Sequence, residues 1–458
     1  MIPIPQAVVS AFEWFSRFFL AFLIVSGLLG LLQLVLSNYR MRAYARSLRF
    51  IDYRRFLDSE HAVPVSLILP IGADAQAEDA LDTLEHLLAL DFPEFEVIAV
   101  VYGSSADVLE RLSDTYRLLA FRQPYKRSLT TGEIKTVYRS IKNLRLIVAQ
   151  KPNGDRADAL NAGLNLSSYP IVLSTQPRVL FELDALIKID YSFVSDPLCV
   201  AVGGVARGAC EEPSNWLERR PLDMLQRMER LRAFYTNRHG AERAGALLSA
   251  CDSFFAFKKS ALLDAGGFRS QAAGEEGDAL LNTLAILRDS KRRFTTRLLP
   301  DPICTVLPQE QLRGILAERR RWNTALCGLL TRFGKLAFRW PSKQAGPIGL
   351  PYFWLLDRVS PLLETAGLLL VPAAWLLGAV DGWFVLIYVV LSVLLGAALS
   401  LGSVLLEEST FQSEPQAGML LWLFLYSFAD GFWYRPVTRA CRIGWPKKAK
   451  RSAETPMQ

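Results

Sequence analysis

Histidine is nearly absent from the 458-residue chain: His61, His86 and His239 stand far apart, which argues against a histidine-built metal centre. Cysteine is almost as thin. Cys199, Cys210, Cys251, Cys304, Cys327 and Cys441 show no Cys-x-x-Cys spacing, so neither a zinc site nor a disulfide framework is indicated. Charged residues make up only 21% of the chain, and although its formal net charge is +7, the basic residues gather beside apolar runs rather than along one helix of the middle region. That placement argues against nucleic acid as a partner and for charge that flanks a lipid bilayer.

Apolar residues are plentiful instead, at 51%, with the excess in runs at 18–37, 361–380, 383–406 and 417–434. About 20 apolar residues cross a bilayer, which the first three runs satisfy; the fourth is shorter and interrupted by Asp430. The first run has no basic n-region and no small-residue cleavage site, so it reads as an uncleaved anchor. Arg40, Arg42, Arg46 and Arg49 then set its C-terminal end in the cytoplasm. Arg435, Arg439, Arg442 and the lysines after them argue that the far end stays inside as well; one resolution is a fourth run that is re-entrant or interfacial, with Asp430 at its turn. The organisation expected is an anchor over 1–50, a cytoplasmic domain over 51–310, interfacial basic helices over 311–350, and a membrane bundle with a basic tail over 351–458.

In the middle region short β-rich stretches alternate with helical patterns. Val65 to Leu69, ending at Pro70, reads as a buried strand, and Glu96 to Val101, Leu144 to Ala149, Ile171 to Ser174 and Val200 to Val205 as further strands. Leu81, Leu84, Leu87 and Leu88 recur at helical spacing between the first two. The stretch from about Cys210 to Gly267 reads as more helical, with Trp216, Leu217, Met224, Leu225 and Met228 on an amphipathic start. From Gln311 a basic helical pattern runs through Trp322 into Leu330, and Phe333, Leu336, Phe338 and Trp340 mixed with Lys335 and Arg339 read as a segment on the membrane surface. Such alternation implies an α/β fold with a mostly parallel sheet, helices on both faces, and a ligand site beyond the carboxyl ends of the strands.

Three stretches then carry a resemblance. Pro64-Val65-Ser66-Leu67-Ile68-Leu69-Pro70 is the first strand, Asp91-Phe92-Pro93-Glu94-Phe95-Glu96-Val97-Ile98 leads into the second, and Lys151-Pro152-Asn153-Gly154-Asp155-Arg156-Ala157-Asp158-Ala159-Leu160-Asn161-Ala162-Gly163 is the most specific. With the order of the segments, residues 60–445 resemble the membrane-bound family 2 glycosyltransferases that include cellulose, hyaluronan and poly-N-acetylglucosamine synthases. The resemblance implies a GT-A-like (Rossmann-like) fold and an inverting displacement, in which a carboxylate base takes the acceptor's proton while a nucleoside diphosphate leaves the sugar. A divalent cation on an Asp-x-Asp at a strand end normally stabilises that diphosphate.

Departures from the pattern fall on the positions that carry the chemistry. The Asp-x-Asp register lands on Gln176-Pro177-Arg178, so both metal carboxylates are missing and no divalent metal is expected. Val101-Tyr102-Gly103-Ser104 stands for the usual Asp-Gly-Ser; Tyr102 can stack on a uracil but cannot repeat a carboxylate's hydrogen bonds. Ala73-Asp74 replaces Asn-Glu after the first strand. In Gly274-Glu275-Glu276-Gly277-Asp278, Glu276 takes the place of the catalytic aspartate with Glu275 beside it, although paired glutamates are also what a solvated helix start looks like. The extra methylene displaces the carboxylate, and an error of about 1 Å can cost about a hundredfold in rate. Arg156, where lysine is common, Asp158 and Asn161 remain candidate nucleotide-sugar ligands with Tyr102, Gln176 and Arg178. Arg178 either offsets diphosphate charge or fills the emptied metal site with a salt bridge, the second being preferred.

On the acceptor side, Glu318-Arg319-Arg320-Arg321-Trp322 compares with the family's Gln-x-x-Arg-Trp. Arg321 would reach the diphosphate and Trp322 stack on a sugar ring, while Glu318 opposes diphosphate binding unless Arg319 or Arg320 pairs with it. A basic helix start with one tryptophan is equally an interfacial anchor. The expectation is a multi-pass inner-membrane protein of polysaccharide or glycolipid synthesis, catalytically degenerate, acting as scaffold or partner of an active synthase. The alternative is an active, metal-independent inverting transferase taking a nucleotide sugar, with Glu276 as base and Arg178 and Arg156 on the diphosphate.

Overall fold

Seven consecutive buried residues, Val65–Ile71, form strand β1 in the interior of a ten-stranded sheet. The computed structural model describes residues 6–48, 53, 62–73, 75–103, 106–121, 125–208, 221–232, 254–270, 274–309, 311–339, 359–411, 422 and 425–440. Asp74, Ser104, Trp216, Leu217, Trp340 and the basic residues from Arg442 onward lie outside the described residues. The other strands are β2 Phe95–Tyr102, β3 Leu118–Ala120, β4 Thr136–Ser140, β5 Leu146–Lys151, β6 Ile171–Ser174, β7 Val179–Phe181, β8 Cys199–Gly208, β9 Phe255–Lys258 and β10 Thr295–Val306. Their spatial order is β3-β4-β5-β2-β1-β6-β9-β8-β10-β7.

β1 pairs in parallel with β2 and β6, β2 with β5, and β8 with β10. A strand paired at both edges and covered on both faces holds apolar side chains throughout, which is why β1 and β2 read as continuous runs. The antiparallel additions are β9 between β6 and β8, the β3–β4 hairpin outside β5, and β7 against β10. The sheet is therefore mixed but mostly parallel. One correction concerns 210–267: β9 lies inside this stretch, because a four-residue strand with three apolar side chains is too short to show a period and the open edges of β6 and β8 recruit it.

Helices α2 (Ala77–Leu88), α3 (Ala106–Tyr116) and α5 (Ala185–Val194) bury Leu84, Leu112 and Leu186 on one face of the sheet with Leu67 and Val97. On the other face α4 (Arg156–Leu166), α7 (Lys259–Asp264) and α8 (Glu275–Asp289) bury Leu160, Leu262 and Leu280 with Ile68 and Ile98. α4 lies so close to β1 that a Cβ on Gly163 would stand 2.4 Å from Cγ2 of Ile68, so glycine is required there.

Among the described residues two helices are long and apolar enough to cross a bilayer: α1 (Gln6–Leu48) over Val9–Ala43 and α11 (Gly382–Phe411) over Gly382–Leu406. The shorter α10 (Ser360–Leu376) contacts both. Gly27 and Gly30 of α1 admit Leu395 and Leu399 of α11 at close range, the small-residue contact by which helices associate in lipid. Helix α6 (Pro221–Arg232) contacts β8 on one side and α11 on the other. The basic stretch after 311 is one helix, α9 (Leu312–Arg339), which continues through Phe333 to Arg339. The structure corrects the resolution of the topology that put a turn at Asp430. Residues 425–440 are helical throughout, with a π-helical turn at Asp430–Tyr434 leading into α12 (Arg435–Ala440).

Candidate functional site

The carboxyl ends of β2 and β5 and the first turns of α4 and α8 bring several of the expected residues together. Asp155 caps α4 by accepting a hydrogen bond from the Asp158 amide at 2.9 Å, which sets Arg156 at the helix start. Its guanidinium bonds both glutamates that open α8: Nη1 lies 2.9 Å from Oε2 of Glu275 and 2.9 Å from Oε2 of Glu276, and Nη2 is 2.5 Å from Oε1 of Glu276. The Glu276 pair is bidentate, the strongest geometry open to these groups. Burial opposes the charge on Arg156, but Glu276 and Glu275 outweigh it and raise its pKa. Burial likewise raises the Glu275 carboxyl, against the pull of Arg156.

Asp158 turns to other partners. Its carboxylate takes the ammonium of Lys151 at 2.8 Å and the Gly132 amide at 3.0 Å, and Lys151, fully buried at the end of β5, also donates to the Gly132 carbonyl at 2.9 Å. Asn161 clamps the backbone of the Gly-Gly-Phe turn, donating to the Phe268 carbonyl at 2.7 Å and accepting from its amide at 2.8 Å. Lys151 and Gly132 were given no role from sequence. Lys151 opens the most specific motif, but nothing in that motif shows that the loop after β3 folds over it.

Tyr102, at the end of β2, is partly buried against the same core as Tyr125 and Leu129 of that loop. Gln176 is half-buried in the turn between β6 and β7. Arg178 has a left-handed backbone, φ 72°, held by its amide on Thr83 Oγ1 at 2.9 Å and its carbonyl on the Leu307 amide at 3.0 Å. Its guanidinium donates to the Pro308 carbonyl at 2.7 Å and lies 3.7 Å from Asp79 at the start of α2. An amide and a cation where two carboxylates are usual do not make a hard-cation donor set. Among the described residues no cluster of three or more His, Cys, Asp or Glu side chains forms one either.

On α9, Glu318 pairs with Arg230 of α6 at 3.4 Å and with Arg319 at 3.8 Å. Arg319 reaches buried Glu229 at 2.9 Å, and Glu229 accepts from Tyr434 at 3.0 Å. Arg321 is exposed, and the Trp322 side chain lies outside what is described. A further ion pair that sequence did not suggest, Arg332 on Asp278, ties α9 to α8 just beyond the glutamates.

No protein-family model matches the chain. It is 23% identical over 304 residues to a poly-β-1,6-N-acetyl-D-glucosamine synthase of Staphylococcus epidermidis, covering 66% of this chain and 63% of that protein. A synthase of the same name from Staphylococcus aureus is 26% identical over 247 residues, covering 54% and 51%. The chain thus aligns with less than two thirds of the length of these curated relatives. A mannosyltransferase from Pyrobaculum calidifontis, solved with GDP-Man and Mn2+, aligns over 91% of this chain and 99% of its own with a TM-score of 0.53 at 17% identity. The fold is that of the GT-A glycosyltransferases. The resemblance to family 2 glycosyltransferases read from the three motifs therefore holds at the level of sequence and of fold.

The same neighbour corrects the expectation that no divalent metal takes part, since this glycosyltransferase fold has been solved around Mn2+. The loss of two carboxylates does not exclude a cation, because phosphate oxygens and water commonly complete such a shell. Gln176 and Arg178 do not by themselves supply a donor set for one.

The ion pair at Arg156 makes its own prediction. Arg156→Ala leaves Glu275 and Glu276 side by side and largely buried, so the folded state is expected to lose ~1–3 kcal/mol at pH 8. The loss should shrink as the solution is acidified, because burial already raises the Glu275 carboxyl and its protonation removes the repulsion that Arg156 would otherwise offset. Chemical denaturation at pH 8 and pH 4 measures both, and a loss independent of pH would contradict the assignment.

Proposed function

We propose that this chain is a membrane-bound glycosyltransferase-like protein of polysaccharide or glycolipid synthesis whose transferase site is closed by internal ion pairs. It serves as the scaffold or partner of an active synthase, with the GT-A domain on the cytoplasmic side of the inner membrane. The observation that carries this reading is the bidentate pair between Arg156 and Glu276. In a transferase the base faces an acceptor hydroxyl and the cation faces the diphosphate. Here the two groups face each other.

The other candidate charged groups agree. Arg178 is held by a carbonyl and Asp79, Asp158 by buried Lys151, and Glu318 by two arginines, so each of these charged groups has a protein partner. Nucleotide sugar would have to displace these pairs before any of them could act on it. The apolar helices α1 and α11, and the arginines after α1's apolar stretch, support the membrane placement.

The test is turnover. Purified protein supplied with UDP-GlcNAc or GDP-Man and either Mn2+ or Mg2+ is expected to release no more nucleoside diphosphate than the Glu276→Gln variant. Release that the wild type sustains and Glu276→Gln abolishes would overturn the reading and make Glu276 the base of a working transferase.

A further inference from the structure

The β3–β4 hairpin is the part of the sheet that the site leaves unexplained. From Arg117 to Arg145 the chain carries eight basic residues against one acid, Glu133. Arg117, Lys126, Arg127, Arg139, Lys142 and Arg145 are all exposed. Large apolar side chains stand among them: Leu119 is 60% exposed, Phe121 46%, Ile141 57% and Leu144 74%. The Arg139 guanidinium lies 5.7 Å from the Phe121 ring and the Lys142 ammonium 6.0 Å from that of Tyr116, so charge and apolar surface form one patch.

Among the described residues β3 is also the last strand at its end of the sheet and pairs only with β4. Leu119 faces Arg139, with the Phe121 amide on the Val137 carbonyl at 2.8 Å and the Ile141 amide on the Arg117 carbonyl at 3.2 Å. The antiparallel alternation turns the N–H and C=O groups of Leu118 and Ala120 away from β4. An edge of this kind is a template for another strand.

A short, charged edge is also how a sheet guards against self-association. That accounts for the charge, and it excludes a second copy of this chain, whose hairpin carries the same sign. It does not account for four large apolar side chains left in water, which an interface core uses and a guarded edge avoids. A lipid headgroup would answer the charge but has no row of donors and acceptors to offer the edge. This end of the sheet also lies seven strand spacings, roughly 34 Å at ~4.8 Å each, from β8, where α6 and α11 gather.

We propose that the hairpin is the docking site for an acidic segment of a partner protein, added to β3 as a further strand. Its carboxylates would meet Arg139, Lys142 and their neighbours, and its apolar residues Leu119 and Phe121. The proposal names the chemistry of the partner invoked under the proposed function and rests on that reading. The loop between β3 and β4 bonds Asp158 and Lys151 through Gly132, so the added strand would sit on the element that covers the site.

A photo-crosslinking residue at Leu119 or Leu144, in the full-length protein in its own membrane, tests this when the adduct peptides are sequenced. Adducts at both positions to one acidic stretch of one other protein are expected, reduced about tenfold in Arg139→Glu/Lys142→Glu, as expected if a contact worth about 1.4 kcal/mol is lost. They should be unchanged in Arg292→Glu, whose arginine is exposed and pairs with Asp264. Adducts only to this chain or to lipid, no adducts, or adducts that survive the charge reversal would overturn the docking site. The turnover assay keeps the two readings apart. Sugar transfer overturns the closed-site reading whatever the adducts show, and missing adducts without transfer overturn the docking surface alone.

Discussion

At pH 8 the Asp190→Asn variant is expected to be more stable than the wild type, by an amount that fades as the solution is acidified. Asp190 sits on α5, wholly buried, where its Oδ2 accepts the Val63 amide at 3.0 Å and its Oδ1 has no partner among the described residues. Burial pushes its carboxyl up to about 7, only partly opposed by the Val63 amide. A raised carboxyl pKa means that the folded chain holds this proton more tightly than the unfolded one. Its contribution is therefore fully present below the ordinary value of 3.8 and lost as pH rises through about 7. Asparagine keeps the shape and cannot ionise. The stability difference between variant and wild type should grow by ~1.4 kcal/mol per pH unit across that window and level off on the order of 4 kcal/mol. Any fixed cost of burying the new amide is the same at every pH and drops out of the slope. Denaturant melts at pH 4, 6 and 8 read this directly, and parallel lines would refute it.

The sheet was legible where its strands are central. Val65 to Leu69 and Ile171 to Ser174 read as strands because a strand covered on both faces is apolar throughout, and β1 and β6 follow. The hairpin of β3 and β4 was not, since its exposed edge mixes basic and apolar residues without a period of two. β10 was hidden by Pro300 and Pro302, beside which its register against β8 shifts. In the candidate site, identities could be assigned by resemblance but pairings could not. Arg156 and Glu276 are 120 residues apart, and no local pattern announces that each will neutralise the other. The metal expectation failed for a related reason: it was inferred from two side chains, whereas a cation site is completed by groups that the sequence does not contain.

Asp430→Ala is expected to be among the most damaging single substitutions in this chain. The residue is fully buried, its Oδ2 shared by Arg232, by Arg435 at 3.1 Å and by the Ser400 hydroxyl at 2.9 Å. Removing the carboxylate leaves two nearly buried cations close together, and breaking a buried pair from one side costs ~3–5 kcal/mol. Thermal melts of detergent-solubilised protein should show a large drop for Asp430→Ala. Much of it should be recovered when Asp430→Leu is combined with Arg232→Met and Arg435→Met, because an apolar set of similar volume leaves no charge to solvate. A small change for the single variant would mean that water already reaches the arginines. The choice of partners gives the cluster its interest. Arg232 ends α6, which lies against β8 of the GT-A sheet, while Ser400 belongs to α11 and Arg435 to the helix beyond the π-turn. One carboxylate in an apolar run thus fastens α6, and through it the sheet, to α11, one of the helices long and apolar enough to cross a bilayer. Under the scaffold reading proposed above, fixing that sheet against α11 is a task this cluster would serve.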